Sequence, residues 1–187
     1  MMPTLGALCY FLLFPSVASL MNPVQMWLII GVVVASTLAL PLLSVLIMLR
    51  FGKISTIYME DKRERNWPLL QTAIVYAAAF YVLKDIPVFI PIFILGAIAS
   101  MVIAMVINLK WKISLHMIGI GGFCGGLAAL FILTQEGSPV YLAFAFILAG
   151  VLGTARLLLE AHTSMQILAG FMLGFTVELG LALSVVN

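Results

Sequence analysis

The chain contains two histidines, and each begins an apolar segment beside basic residues. His116 follows Lys110-Trp111-Lys112, and His162 comes six residues after Arg156. An arginine presents a planar fork of donors that fits phosphate oxygens. A neutral imidazole can attack phosphorus, and a second, protonated imidazole can donate a proton to the leaving oxygen. These residue types therefore predict phosphoryl transfer, provided that the fold brings them together.

Other polar residues accompany the two histidines. Gln166 lies four residues after His162, so the two side chains can meet on one helix and the glutamine can orient the ring. Basic residues that can hold phosphate oxygens lie within residues 50–66 and just before His116; they are Lys53, Lys62, Arg63, Arg65 and Lys112. Fixed cations of this kind neutralise a phosphate without a metal ion, and we expect neither a metal site nor a cofactor.

The composition predicts a membrane protein. Hydrophobic residues make up 64% of the 187 residues and charged residues only 9%, and the mean hydropathy is +1.24. A water-soluble domain needs a more polar surface, so most of this surface must face lipid. The length fits one transmembrane domain over residues 1–187. The net charge of +2 is too small to indicate nucleic-acid binding.

Charged breaks divide the chain into seven apolar segments. A helix needs about 20 apolar residues to cross the hydrocarbon of a bilayer, and a helix satisfies its own backbone groups there. The segments are 4–20, 26–49, 67–83, 86–109, 113–134, 138–155 and 162–187. Because the first segment is short, we expect an all-α, polytopic transmembrane bundle of six or seven spans.

The charged breaks alternate between the two ends of this bundle. Residues 50–66, 110–112 and 156–162 fall at one end, and eight of the nine basic residues lie there, with Lys84 the exception. The positive-inside rule predicts that this end faces the cytoplasm. The compact loops favour a bacterial inner membrane.

At these residues the sequence resembles the type 2 phosphatidic acid phosphatase superfamily, the integral-membrane lipid phosphatases related to vanadium haloperoxidases. That family has the motifs K-x6-R-P, P-S-G-H and S-R-x5-H-x3-D. Arg156 and His162 have the spacing of the third motif, and the small-residue run 169–174 follows it. The resemblance extends over roughly residues 50–175, with its core in residues 110–175. It implies that His162 is the nucleophile, that His116 is the general acid, and that the basic residues hold a lipid phosphate.

The sequence departs from these motifs at several positions. Ala155 and Gln166 stand where the third motif has Ser and Asp. The second motif reads Ile113-Ser114-Leu115-His116, without its Pro and Gly. The first has no exact match, only a basic segment followed by Pro68. In a serine protease, replacing the orienting Asp by Asn lowers turnover about 10⁴-fold. A Gln carbonyl can still accept the ring N–H, so we expect activity to be reduced and not abolished.

Two functions therefore stay open at the level of sequence. The first is a lipid-phosphate phosphatase acting on an isoprenoid (pyro)phosphate or phosphatidate that enters from the bilayer. The second is an inactive relative that serves as a lipid-binding or assembly subunit of a membrane complex. A small transporter would need polar groups at the midplane of the membrane, and the sequence has few.

Two further features concern the helices themselves. The spacings Gly121–Gly125 and Gly122–Gly126 predict a close approach between helices. Glu178 is the one acid inside an apolar segment, and sixteen residues of helix place it about 24 Å from His162, near the opposite end of the bundle. We expect Glu178 to have a structural or interfacial role.

Overall fold

The computed structural model describes residues 2–14, 19, 21–55, 62–86 and 89–184, and for Met2, Pro3, Tyr10, Lys62, Arg63 and Arg65 it describes only the backbone. These residues form seven helices and no strand, which confirms the all-α prediction for the described part of the chain. The helices are α1 (Met2–Leu13), α2 (Pro23–Arg50), α3 (Lys62–Leu83), α4 (Ile90–Asn108), α5 (Leu115–Thr134), α6 (Pro139–Leu158) and α7 (Ser164–Ser184).

Among these helices, five are long and apolar enough to cross a membrane, namely α2, α4, α5, α6 and α7. The outward faces agree with a lipid environment, because large apolar side chains such as Leu42, Phe144 and Ile147 are exposed there. Helix α1 has only 12 residues. Helix α3 has 22 residues, but its first turn is charged. The chain is therefore a helical membrane protein with five candidate spans by length and composition.

The charged break at residues 50–66 is only partly a connection between helices, because α3 already begins at Lys62. Lys, Arg and Glu are good helix formers, so the helix continues into the charged segment. Glu64 in the first turn of α3 accepts hydrogen bonds from the backbone N–H and the hydroxyl of Ser55, at 3.1 and 3.0 Å. These bonds connect the beginning of α3 to the chain that follows α2.

Helix α2 changes its winding in the middle. Residues Ala35–Ala39 form a π-helical turn that ends two residues before Pro41. Proline has no N–H, and its ring would collide with the carbonyl four residues earlier, so a wider turn relieves the conflict. The buried Ser36 hydroxyl donates to Val32 O at 2.7 Å and satisfies part of the disturbed backbone.

The closest helix pair is α5 and α7, which run in the same direction. Its contact is lined by glycines: Gly121 and Gly125 on α5, and Gly170 and Gly174 on α7. A Cβ atom at Gly170, for example, would lie 2.6 Å from Ser114 O. The two backbones therefore touch without side chains between them, which confirms the close approach predicted from the spacing of Gly121 and Gly125. The predicted pair Gly122 and Gly126 instead faces the side chains of Glu178 and Phe93.

We expect Gly174→Ala to destabilise the fold, because its Cβ would collide with Ile118 O and lie 2.7 Å from Gly122 N. Overpacking of this kind costs about 1–3 kcal/mol. Gly180→Ala is the matched control on the same helix, since a Cβ there meets nothing within 4 Å. The control should keep or raise the melting temperature of the detergent-solubilised protein, whereas Gly174→Ala should lower it. Equal melting temperatures for the two variants would contradict the packing described.

Candidate functional site

Six helix termini meet at one end of the bundle, which we call the basic end: the ends of α2, α4 and α6 and the beginnings of α3, α5 and α7. Two hydrogen bonds across helices hold it together. Asn108 Nδ2 donates to Asn66 Oδ1 at 3.0 Å, and the backbone N–H of Ser114 donates to Gln166 O at 3.4 Å. The beginning of α5 at Ser114 therefore lies beside the first turn of α7, with His116 in the first turn of α5 and His162 just before α7.

The six-residue spacing from Arg156 to His162 corresponds to a defined helix ending. Ala161 N–H donates to Arg156 O at 3.2 Å, and Glu160 N–H donates to Leu157 O at 2.9 Å. Glu160 adopts a left-handed backbone conformation with φ 50°. Together these features form a Schellman motif, which terminates α6 and reverses the chain. The turn returns the chain to the level of Arg156, and His162 is the next residue.

A second capping motif follows His162 immediately. The backbone N–H of Thr163 donates to Gln166 Oε1 at 3.1 Å, and the backbone N–H of Gln166 donates to Thr163 Oγ1 at 3.4 Å. This reciprocal pair is a capping box, with Thr163 as N-cap of α7 and Gln166 as its third helical residue. His162 is therefore held between the end of α6 and the beginning of α7.

The capping box also orients the ring of His162. Its Nδ1 lies 3.2 Å from Gln166 Oε1. The same oxygen receives the N–H of Thr163, and a backbone N–H only donates, so this atom is the amide oxygen and an acceptor. Nδ1 must then donate, which requires the tautomer protonated at Nδ1. In the neutral ring, Nε2 carries the lone pair. The contact that the four-residue spacing predicted between His162 and Gln166 is therefore present.

Arg156 is half-buried at the end of α6. Its Nε atom is buried and has no hydrogen-bond partner among the described residues. One turn earlier on the same helix, Gly153 packs against Ile167 of α7 and Met117 of α5. This contact holds the end of α6 against the beginnings of α5 and α7. A buried guanidinium donor without a partner suits an anion, since burying a charged donor unpaired is costly.

His116 lies in the first turn of α5, is exposed, and also lines a cavity inside the bundle. Two residues earlier, Ser114 is the N-cap of α5 and is fully buried. Its hydroxyl has no hydrogen-bond partner within the described part of the chain. Ser114 is not among the residues predicted from the sequence, although it occupies the serine position of the second family motif. Its buried hydroxyl is a second donor at the basic end.

Of the five predicted phosphate-binding residues, the structure describes the side chains of two. Lys53 is exposed just beyond the end of α2, and Lys112 is half-exposed two residues before Ser114. The side chains of Lys62, Arg63 and Arg65 lie outside the described residues. All five belong to the basic end by position, and their contact with a phosphate stays a prediction. Within the described residues, no group of three or more His, Cys, Asp or Glu side chains could hold a metal ion.

The interfacial position expected for Glu178 is wrong. This residue is 6% exposed, and its carboxyl group packs between α4 and α5, against Gly96 and Gly122. Counting residues along α7 alone places Glu178 near the opposite end of the bundle. Glycines on two neighbouring helices, however, leave room for a carboxyl group inside the bundle.

The left-handed residue of the turn before His162 gives a test of this geometry. Glu160→Val should destabilise the protein by about 1–2 kcal/mol, since a β-branched residue is disfavoured in this conformation. Glu160→Gly, the matched control, removes the same carboxylate but fits the turn. Melting temperatures of the two purified variants give the comparison. If Glu160→Val melts at the same temperature as Glu160→Gly, the Schellman motif is not formed as described.

The comparisons with known proteins leave the family of the chain open. No protein-family model, no curated protein and no solved structure matches it. Any chemistry at the basic end is therefore a proposal drawn from Arg156, His116 and His162 and the local structure around each of them.

Proposed function

We propose that this protein is an integral-membrane phosphatase of the type 2 phosphatidic acid phosphatase kind, acting on a phosphorylated lipid such as an isoprenoid (pyro)phosphate or phosphatidate. One observation carries the proposal. His162 is held between two capping motifs, and its Nδ1–H donates a hydrogen bond to Gln166 Oε1. The neutral ring thus keeps its lone pair on Nε2, as a nucleophile requires.

The proposed reaction has two steps. In the first, His162 Nε2 attacks phosphorus, the P–O bond to the lipid breaks, and protonated His116 gives its proton to the leaving oxygen. In the second, water attacks the phosphohistidine while neutral His116 accepts a proton from that water. The P–N bond then breaks, and inorganic phosphate leaves.

Fixed positive charge lowers the barrier of both steps, because the transferring group carries negative charge throughout. Arg156 has a buried donor without a partner in the described part of the protein, and it would contact the phosphate oxygens. Lys112 would complete the binding site together with the basic residues at the end of α2 and the beginning of α3. These are Lys53, Lys62, Arg63 and Arg65.

The second candidate function is a lipid-binding or assembly subunit without catalytic activity. It is favoured by the chemistry of Gln166, whose Oε1 accepts hydrogen bonds from both Thr163 N–H and His162 Nδ1–H. An amide shared in this way orients the imidazole but stabilises the imidazolium less than a carboxylate does. The loss of an orienting carboxylate costs about 10⁴ in turnover in a serine protease, which is roughly 5 kcal/mol of barrier.

We also propose how the chain lies in its membrane. Helix α3 crosses the bilayer with its apolar part from Trp67 onward and gives a sixth span, and α1 is a seventh, shorter segment that enters the bilayer. The basic end faces the cytoplasm of a bacterial inner membrane, following the distribution of Lys and Arg.

The catalytic proposal predicts a graded series of variants. Purified protein should release phosphate from mixed lipid phosphates without added metal. His162→Ala should lower the release at least 10³-fold, because no nucleophile replaces the ring. Gln166→Glu should raise release about tenfold or more, because a carboxylate stabilises the positive charge that develops on the ring as Nε2 bonds to phosphorus. Gln166→Leu is the control that removes both contacts, and it should lower release.

Phosphate release that is the same for wild type and His162→Ala would remove the enzyme proposal and favour the inactive subunit. Binding of a lipid phosphate to the wild-type protein without turnover would support that second function.

Orientation can be tested with single cysteines in a background lacking Cys9 and Cys124. Lys53 marks the basic end and Glu136, between α5 and α6, marks the opposite end. A membrane-impermeant maleimide added to intact cells should label Glu136→Cys and should label Lys53→Cys only after permeabilisation. The reverse pattern would refute a cytoplasmic basic end.

A further inference from the structure

A cavity of about 370 Å³ lies inside the bundle, with His116 in its lining and walls from α1, α2, α3, α4, α5 and α7. Its walls are mostly apolar, and its deeper part is lined by residues such as Phe93, Ala97 and Leu130. The volume lies near the lower end of the range of about 300–1,000 Å³ typical of small-molecule sites. Because His116 is also exposed at the surface, the cavity meets the basic end at the candidate general acid.

Besides His116 and the hydroxyl-bearing Tyr76, two polar side chains line the cavity. Ser100 of α4 and Glu178 of α7 are 3% and 6% exposed, and both line the cavity. Ser100 Oγ and Glu178 Oε2 are buried and have no hydrogen-bond partner within the residues that the structure describes. A polar group buried without a partner costs free energy, and an ionisable residue inside a membrane is a candidate functional residue.

The depth of these groups follows from the helices that carry them. A Cβ at Gly122 would lie 3.2 Å from Glu178 Cγ, so the carboxyl group is level with Gly122. Gly122 is six residues along α5 from His116, which corresponds to about 9 Å. A Cβ at Gly96 would touch the same carboxyl group. Ser100 lies one turn from Gly96 toward the basic end, and therefore between Glu178 and His116 in depth.

We propose that this cavity binds the hydrocarbon chain of a single-chain lipid phosphate, and that Ser100 and Glu178 hydrogen-bond a hydroxyl group on that chain. The inference rests on the proposed function, which places the leaving oxygen at His116, and it narrows the substrate class proposed there to single-chain lipid phosphates that carry a hydroxyl. The apolar walls accept the chain, and the cavity has room for one chain and not for the two of a diacyl lipid. A serine hydroxyl and a protonated carboxyl group each donate and accept, so together they satisfy both roles of a hydroxyl.

A hydroxyl is the group that fits this chemistry best. An ammonium would require an ionised Glu178 in an apolar wall, which is costly unless further polar groups solvate the pair. A chain without a polar group would leave both Ser100 and Glu178 unpaired, at a cost that weakens its binding. The hydroxyl should lie about 9 Å of chain away from the phosphate, the depth at which the carboxyl group is found.

The test uses the full-length His162→Ala protein in lipid nanodiscs, so that no probe is hydrolysed. Radiolabelled n-dodecyl phosphate is displaced by unlabelled dodecyl phosphates in which a hydroxyl is moved stepwise along the chain. Hydrogen bonds contribute about 0.5–1.5 kcal/mol each, so one hydroxyl position should bind several-fold to about tenfold more tightly than the plain chain. Aminododecyl phosphates serve as the cationic comparison.

Variants identify the groups responsible. Glu178→Leu should abolish the preference for the hydroxyl and keep or improve binding of the plain chain, because it removes an unpaired polar group. Glu178→Gln has the same shape as Glu178 and should keep part of the preference. Ser100→Ala should reduce it. If Glu178→Leu does not fold, Glu178→Gln and Ser100→Ala decide the question.

Three results would overturn the proposal: no binding of n-dodecyl phosphate, an equal preference for the hydroxyl in wild-type and variant cavities, or tighter binding of the aminododecyl probes. Hydrolysis of phenyl phosphate by the protein with intact His162 is measured separately. Hydrolysis without chain binding would reject the cavity proposal alone. Hydroxyl-dependent binding without any hydrolysis would reject the phosphatase alone.

Discussion

The direct contact between the backbones of α5 and α7 is the constraint on which the other features depend. Four glycines remove the side chains that would separate the two helices, and the helices consequently run side by side in the same direction. The first turn of α5 packs against the second turn of α7 around Gly170, and the N–H of Ser114 at the beginning of α5 donates to Gln166 O in the first turn of α7. The same packing brings Glu178 beside Gly122, and so places a carboxyl group in the wall of the cavity.

A second constraint acts locally at His162. The residue lies between a helix ending and a helix beginning, each with its own set of backbone hydrogen bonds. A loop residue fixed in this way loses little freedom when a ligand binds, which is what positioning for a reaction requires. Gln166 contributes twice, since its side chain caps α7 and its Oε1 accepts the hydrogen bond from Nδ1–H of the ring. The spacings between Arg156, His162 and Gln166 are thus those of two capping motifs in succession.

Much of the fold could be predicted from the sequence, because a long apolar segment in lipid satisfies its backbone N–H and C=O groups by forming a helix. The glycine spacing on α5 and the four-residue spacing from His162 to Gln166 also predicted contacts that are present. What could not be predicted depends on more than one helix. Glu178 appears interfacial along its own helix, and only Gly96 and Gly122 on neighbouring helices reveal the space it occupies. Glu160 carries no local signal for a left-handed conformation, since that position usually has glycine.

The tautomer of His162 tests the central claim most directly, because it can be measured without knowing the substrate. Nitrogen-15 NMR of protein labelled at histidine, with His116→Gln to leave one ring, distinguishes the two neutral forms. The account predicts a proton on Nδ1 and a lone pair on Nε2 near neutral pH, and a loss of this preference in Gln166→Leu. A proton on Nε2 in the wild-type ring, or a tautomer unchanged by Gln166→Leu, would contradict it.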